Sequence, residues 1–240
     1  MPTGPGLSSW PGPAVTHEED LSAVRVGDVE LFPVSDGSFR LDGGASFGLV
    51  PRVLWEKVLP PDSLNRTPMA LNCLLIRSAG RTILVDTGYG DKVPAKRREI
   101  LALERKPGLP ASLGALGLTA EDVDIVINTH LHADHCGGNT TWAAGCLVPT
   151  YPRAEYWAQR LEWAEALFPN ERTRATYLPE NLRPIEGQLR LLDGDTRVTA
   201  EVRCLVTRGH TRAHQCVVIE SQGQTAIYLA DLAPFAVHLE

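Results

Sequence analysis

Between Thr129 and Gly138 the chain reads THLHADHCGG, which sets three histidines and an aspartate within the six positions from His130 to His135. Imidazoles and a carboxylate crowded this closely compete for space and solvent unless a common partner holds them. The run before them, AEDVDIVINT, ends in an apolar, β-branched stretch suited to a buried strand, and Gly137 and Gly138 mark a turn behind the cluster. Any fold that accepts this segment must end a buried strand where several polar side chains converge. His130 and His132 lie two apart, so an extended backbone sends both to one side. Asp134 and His135 follow in the turn, which can aim both inward. Neutral imidazoles with a carboxylate suit zinc, with iron or manganese as alternatives. One loop histidine would read as solvated. HxHxDH after an apolar strand reads as a metal site.

The 240 residues suit one sizeable domain. The opening MPTGPGLSSWPGPAVTHEED is dense in proline and glycine and has neither a basic start nor a continuous apolar stretch. Residues 1–20 are therefore expected to be a disordered leader rather than a signal peptide, with the folded domain over 21–240. A net charge of −6 argues against a general nucleic-acid or anionic-membrane surface. No apolar run approaches the roughly 20 residues of a membrane span. Five cysteines (Cys73, Cys136, Cys146, Cys204 and Cys216), with no CxxC pair, fit free thiols in a reducing cytosol better than a disulfide framework, so a cytoplasmic protein is expected.

From Val24, AVRVGDVELFPVSDG alternates like a strand and breaks at Asp36-Gly37. LNCLLIR and RTILVD, joined by SAG, predict a hairpin. KRREILALE and SLGALG read as helices. RAEYWAQRLEWAEALF predicts an amphipathic helix that packs Tyr156, Trp157, Leu161, Ala164 and Phe168 along one stripe. QLRLL, RVTAEVRCLVT, HQCVVIES and QTAIYLAD then predict strands again. Strands, helices and strands in that order indicate a layered α/β protein.

THLHADH resembles the signature of the metallo-β-lactamase-fold hydrolases, a superfamily that includes glyoxalase II, lactonases, organophosphate hydrolases and lactamases. Three further segments fall in the family's order around it: ILVDTGYG with Asp86, VTRGHTRAHQ with His210, and IYLADLA with Asp231. The long region before Asn72 and the insertion between Asp91 and Val123 look most like the lactonase and organophosphate-hydrolase branch. The resemblance implies a four-layer αββα sandwich. It also implies a C-terminally incomplete domain lacking the last strand–helix portion, because the family's further histidine on a later strand has no counterpart before Glu240. It implies a binuclear centre in which His130, His132 and His210 hold one ion, Asp134 and His135 belong to the second, and Asp231 bridges them. Two cations close together need such a shared anion. A hydroxide between the ions would attack an ester, lactone, thioester or phosphoester, with Asp134 and Asp231 as catalytic carboxylates that accept or relay a proton.

Asp86 reads as an acceptor that orients a ligand histidine, with a capping aspartate in DTGYG as the alternative. Tyr89 and the loop from Ser46 to Trp55 are candidate pocket residues. His17 reads as solvated, His214 as structural or as a partner behind a ligand, and Cys136 as a packed thiol. His238 is expected to line the pocket or be solvated, which leaves the second metal site weak. Pro234 stands where acyl-homoserine lactonases of this fold commonly carry a tyrosine, so the marker of that substrate class is missing. The expected partner is a small-molecule substrate, without nucleic acid or membrane, and a homodimer stays open. A catalytically silent or redox metal-binding member of the fold is the competing reading. The redox version would need a flavin domain or partner, and no flavodoxin-like segment is present.

Overall fold

A computed structural model describes residues 23–239. The leader expected over 1–20, His17 included, lies outside the described residues. The first half of the chain winds β1 (Val24–Val26), the long β2 (Val29–Asp42), the short helices α1 (Gly43–Phe47) and α2 (Arg52–Trp55), β3 (Arg66–Ser78) and β4 (Arg81–Val85). β3 and β4 form the predicted hairpin, closing at Ser78 opposite Arg81. Its two loop residues, Ala79 and Gly80, have φ of 51° and 73°, the mirror-image turn whose twist matches the strands it joins.

The predicted break at Asp36-Gly37 is not a strand end. β2 runs through it with a register shift between Ser35 and Ser38. The polar dipeptide is held inside because the buried Asp36 carboxylate accepts from Arg105 Nε at 2.9 Å, Leu109 N at 3.0 Å and Gly90 N at 2.9 Å. A carboxylate so supplied with donors can stay buried where an unpaired one could not.

The chain continues with α3 (Ala95–Ile100), α4 (Leu109–Ala115), β5 (Ile125–Ile127), α5 (Ala133–Cys136), the hairpin β6 (Thr140–Ala143) and β7 (Cys146–Pro149), β8 (Glu155–Gln159), α6 (Arg160–Leu167) and β9 (Leu189–Leu192). It ends in β10 (Thr196–Arg197), β11 (Val202–Val206), β12 (Gln215–Ser221) and β13 (Gln224–Tyr228), followed by 3₁₀ turns. A seven-stranded sheet has the order β1-β2-β3-β4-β5-β8-β9, and a second sheet has the order β10-β11-β12-β13. β4, β5, β8 and β9 run parallel.

The predicted amphipathic helix over RAEYWAQRLEWAEALF is corrected. Its first half is strand β8, and the helix covers only Arg160–Leu167. A central parallel strand is buried on both faces, so its apolar run carries no alternation to separate it from a helix. The true helix turns Glu162, Trp163 and Ala166 inward and leaves Phe168, beyond its end, exposed.

Two cores define the layers. Ile76, Ile83, Val85, Ile127 and Trp157 meet Val202, Cys204, Val217 and Ile219 between the sheets. On the other face of the larger sheet, Leu75, Leu84, Val126 and Tyr156 pack with Leu109, Leu113, Trp163 and Ala166 from α4 and α6. Two sheets thus stand face to face, with helices over the larger one. Among the described residues no helix is long and apolar enough to cross a membrane. The C-terminal ends of β4 and β5, and those of β11 and β13 from the second sheet, lead into loops that gather at one rim, the usual place for a site in such sheets.

Candidate metal centre

β5 stops at Ile127, and the next residues cross the rim. Asp86, just beyond β4, sits in the left-handed region with φ of 59°. Its Oδ1 accepts from Thr129 N at 2.8 Å, while its Oδ2 accepts from Thr129 Oγ1 at 2.8 Å and lies 2.9 Å from His135 Nδ1. It therefore does more than cap a turn: it locks the histidine loop and the ring of His135. Asp134 and His135 lie on the single-turn helix α5. Gly137, which follows, is itself helical (φ −59°), and the close packing explains why it is glycine. A Cβ there would fall 2.3 Å from the Tyr89 carbonyl oxygen, and one on Gly138 would fall 2.2 Å from that of Thr87. His210 follows β11, and Asp231 lies in a 3₁₀ turn after β13.

These loops bring the histidines into one cluster. Ligand atoms of His130, His132 and His210 lie within 4.8 Å of one another, and those of His130, His135 and Asp231 form a second such trio. His210 Nε2 is 3.0 Å from His132 Nδ1 and 3.1 Å from Asp231 Oδ2. His135 Nε2 is 3.2 Å from Asp231 Oδ1 and 3.9 Å from Asp134 Oδ2. All six sequence-predicted residues thus meet at one place. His130 is common to both trios, and Asp134 stands at the edge of the second.

The buried polar atoms test whether this set suits a cation. His130 is fully buried, its Nδ1 lies 3.1 Å from Thr129 Oγ1, and its Nε2 has no hydrogen-bond partner. An unsatisfied buried polar atom costs about 1–3 kcal/mol, which a coordinated ion would remove. Burial and the neighbouring histidines push His130 well below the ordinary histidine value and bring His132 down to about 3. Burial alone would raise Asp231, but His135, hydrogen-bonded to it, and His210 hold it well below the usual carboxylate range. Neutral imidazoles beside an ionised carboxylate are the donor set of a first-row divalent cation. The residues fit.

Burial brings His214 to about 4 as well. Histidines depressed in the fold add stability in full above their unfolded value near 6.5 and lose it as pH falls toward 4 and 3. His135 runs the other way: burial lowers it, but Asp86, Asp231 and Asp134 outweigh that and raise it. Its contribution is full below 6.5 and fades as pH rises through the raised value. Between about pH 4.5 and 6.5 His135 is protonated folded or unfolded and so contributes no change. The three lowered histidines then oppose only the raised Asp134 carboxyl. The metal-free protein should therefore unfold at clearly lower denaturant at about pH 4.5 than at about pH 7. Equal midpoints would contradict this balance.

Beside Asp134, His135 and Asp231 opens a cavity of about 440 Å³, lined among others by Phe39, Met69, Leu71, Ile227, Pro234 and Phe235. Tyr89, expected at a pocket, packs edge-on against Phe39 at 5.2 Å and faces a separate space of about 110 Å³. In the Ser46–Trp55 loop, Phe47 stacks between Trp55 and Phe235 at 4.9 and 5.3 Å, so this loop reaches the cavity only through Phe235. Leu49 and Leu54 are exposed. His238 is exposed beside Phe235 and belongs to neither trio. His214 is buried, with Nδ1 2.8 Å from Thr207 Oγ1. Cys136 is a packed thiol whose Sγ donates to Leu131 O at 3.2 Å. Sequence reasoning missed Glu162, which sits behind the cluster. Its only signal was its place on the same helical face as Trp163 and Ala166.

A sequence profile of the metallo-beta-lactamase superfamily matches residues 66–239. An N-acyl homoserine lactonase of Bacillus cereus is 26% identical over 184 residues, spanning 72% of this chain and 67% of that protein. A Staphylococcus aureus protein, described as a probable metal-dependent hydrolase, has a crystal structure that superposes with a TM-score of 0.84 at 29% identity, covering 90% of this chain and 77% of that one. A dizinc quorum-quenching lactonase in complex with a product, N-hexanoyl-L-homoserine, shares the fold with a TM-score of 0.71 at 24% identity, covering 88% of this chain and 74% of that one.

Proposed function

The chain belongs to the metallo-beta-lactamase superfamily, and from that premise we propose that it is a metal-dependent hydrolase of small acyl compounds, with lactones and esters that carry an apolar arm as its substrates. The observation that carries this reading is that the cluster opens, through Asp134, His135 and Asp231, onto a cavity lined mostly by apolar residues. His130, His132 and His210 would hold one ion. His135 and Asp231, with Asp134 at the edge, would hold a second. Zinc is the first candidate, and iron or manganese the alternatives. When bound, such ions make water nucleophilic near neutral pH and offset the negative charge that develops on a carbonyl oxygen.

The side chains supply the rest. Asp231, held ionised, fixes the rings of His135 and His210 through its two oxygens. Asp86 accepts a hydrogen bond from the Nδ1–H of His135, which leaves the Nε2 lone pair facing the cluster. Asp134 borders the cavity, and burial pushes its carboxyl above the usual value. It is thereby suited to take a proton from water and return it to a leaving alcohol. Phe39, Met69, Leu71 and Phe235 would receive an apolar arm and keep water from it. Pro234 in this wall has no hydroxyl to offer a carbonyl, so polarisation falls to the cluster itself.

The test is a panel of acyl lactones and aryl esters of increasing chain length, with thioesters and phosphotriesters beside them, run on protein of measured metal content. Turnover should rise with the acyl chain and favour lactones and esters. Full metal occupancy with no turnover on any member would overturn the hydrolase reading in favour of a silent metal-binding one.

A further inference from the structure

Glu162 is a charged residue 1% exposed, on the inner face of α6. Its hydrogen-bond partners are all neutral. Oε1 accepts from Leu131 N at 3.0 Å and from the Tyr177 hydroxyl at 2.9 Å, and Oε2 accepts from Thr211 Oγ1 at 2.7 Å. A carboxylate in such a place is costly to bury, and packing alone would be served better by an apolar side chain. The identity of the donors explains it. Leu131 lies between His130 and His132, Thr211 follows His210, and the Tyr177 ring lies 5.1 Å from that of His132.

His135 has Asp86 on its second nitrogen. His132 and His210 have no comparable side chain: His132 Nδ1 meets only His210 Nε2, which also meets Asp231. Apart from the contact of Asp231 with His210 Nε2, what aims these two rings is the backbone of their loops, one after β5 and the other after β11. Glu162 joins the two loops from behind, with one carboxylate oxygen on each.

We propose that Glu162 is a positioning residue that ties the two histidine loops together and so sets the affinity of His130, His132 and His210 for their ion. The proposal rests on the metal-hydrolase reading above. Groups behind metal ligands typically govern 10- to 100-fold in metal affinity, although they never touch the ion.

The experiment measures zinc affinity by competition with a chromophoric chelator, and the visible absorption of the cobalt-substituted protein, for the full chain and three variants. Glu162→Ala should weaken zinc binding by about 10- to 100-fold and shift the cobalt bands. Glu162→Gln should stay close to the parent. Its amide oxygen can accept from Leu131 N and Tyr177, and its amide nitrogen can donate to Thr211 Oγ1, so the tether survives without the charge. Thr211→Val keeps the side-chain shape and cuts one tether, and should weaken zinc binding by about tenfold. Melting of the metal-free variants separates lost folding from lost affinity. If Glu162→Ala does not fold, Thr211→Val decides.

Parent-like zinc affinity and cobalt bands in the decisive variant would overturn the proposal while leaving the metal reading intact. Glutamine as weak as alanine would also overturn it, because charge rather than tethering would then set the affinity. A parent protein that takes up no metal would overturn both readings.

Discussion

Asp231→Ala is expected to lower kcat on the best ester or lactone by about 10²–10³-fold, while circular dichroism stays that of the parent. The size of the effect follows from what the carboxylate does. Its two oxygens lie 3.2 Å from His135 and 3.1 Å from His210, so one residue spans the two halves of the cluster. Its strongly depressed titration means that it is an anion at every pH at which the protein would work. Removing it takes a negative charge from between two would-be cation sites and frees both rings. The residue sits in an exposed-rim 3₁₀ turn and contributes to neither apolar core, which is why the fold should survive. Activity within about threefold of the parent would mean that a single ion suffices, or that another group joins the sites.

His130→Ala should have the other large effect, on occupancy rather than on rate alone. His130 belongs to both trios, and its Nε2 is a buried atom left without a partner. Its loss takes from the first site a donor that the second trio also borders, so elemental analysis of protein prepared without chelator should show at least one ion lost or substoichiometric, and activity should fall with it. His238→Ala provides the contrast. That ring is exposed beside Phe235 and outside both trios, so its removal should leave metal content unchanged. Two retained ions in His130→Ala would show that the trios do not act as assigned.

The site was far more legible in the sequence than the elements around it. His130, His132, Asp134 and His135 fall within one short segment, so local pattern was enough to gather those four. His210 and Asp231, beyond β11 and β13, were joined to them through the family resemblance. Asp86 was legible for the same reason. β8 was not, because Tyr156 and Trp157 lie in a strand flanked on both sides and apolar on both faces, a pattern that a helix imitates. Asp36 looked like a turn because only the fold shows the arginine and the two backbone amides waiting for it. Glu162 went unread for a similar reason: its donors come from three distant segments. Buried polar residues are specified by partners far away in sequence, which no window of neighbours contains.

Apart from Asp231, which shares the segment after β13 with Phe235, the donor cluster and the apolar cavity wall are drawn from different parts of the chain. The donors sit on loops anchored by Asp86 and Glu162, whereas Met69 and Leu71 lie on β3 and Phe235 on the segment after β13. For an engineer this makes the molecule modular. Libraries at Met69, Leu71 and Phe235 can search substrate range while the reactive centre is held constant, and a lineage could drift between acyl substrates by the same route without passing through an inactive intermediate.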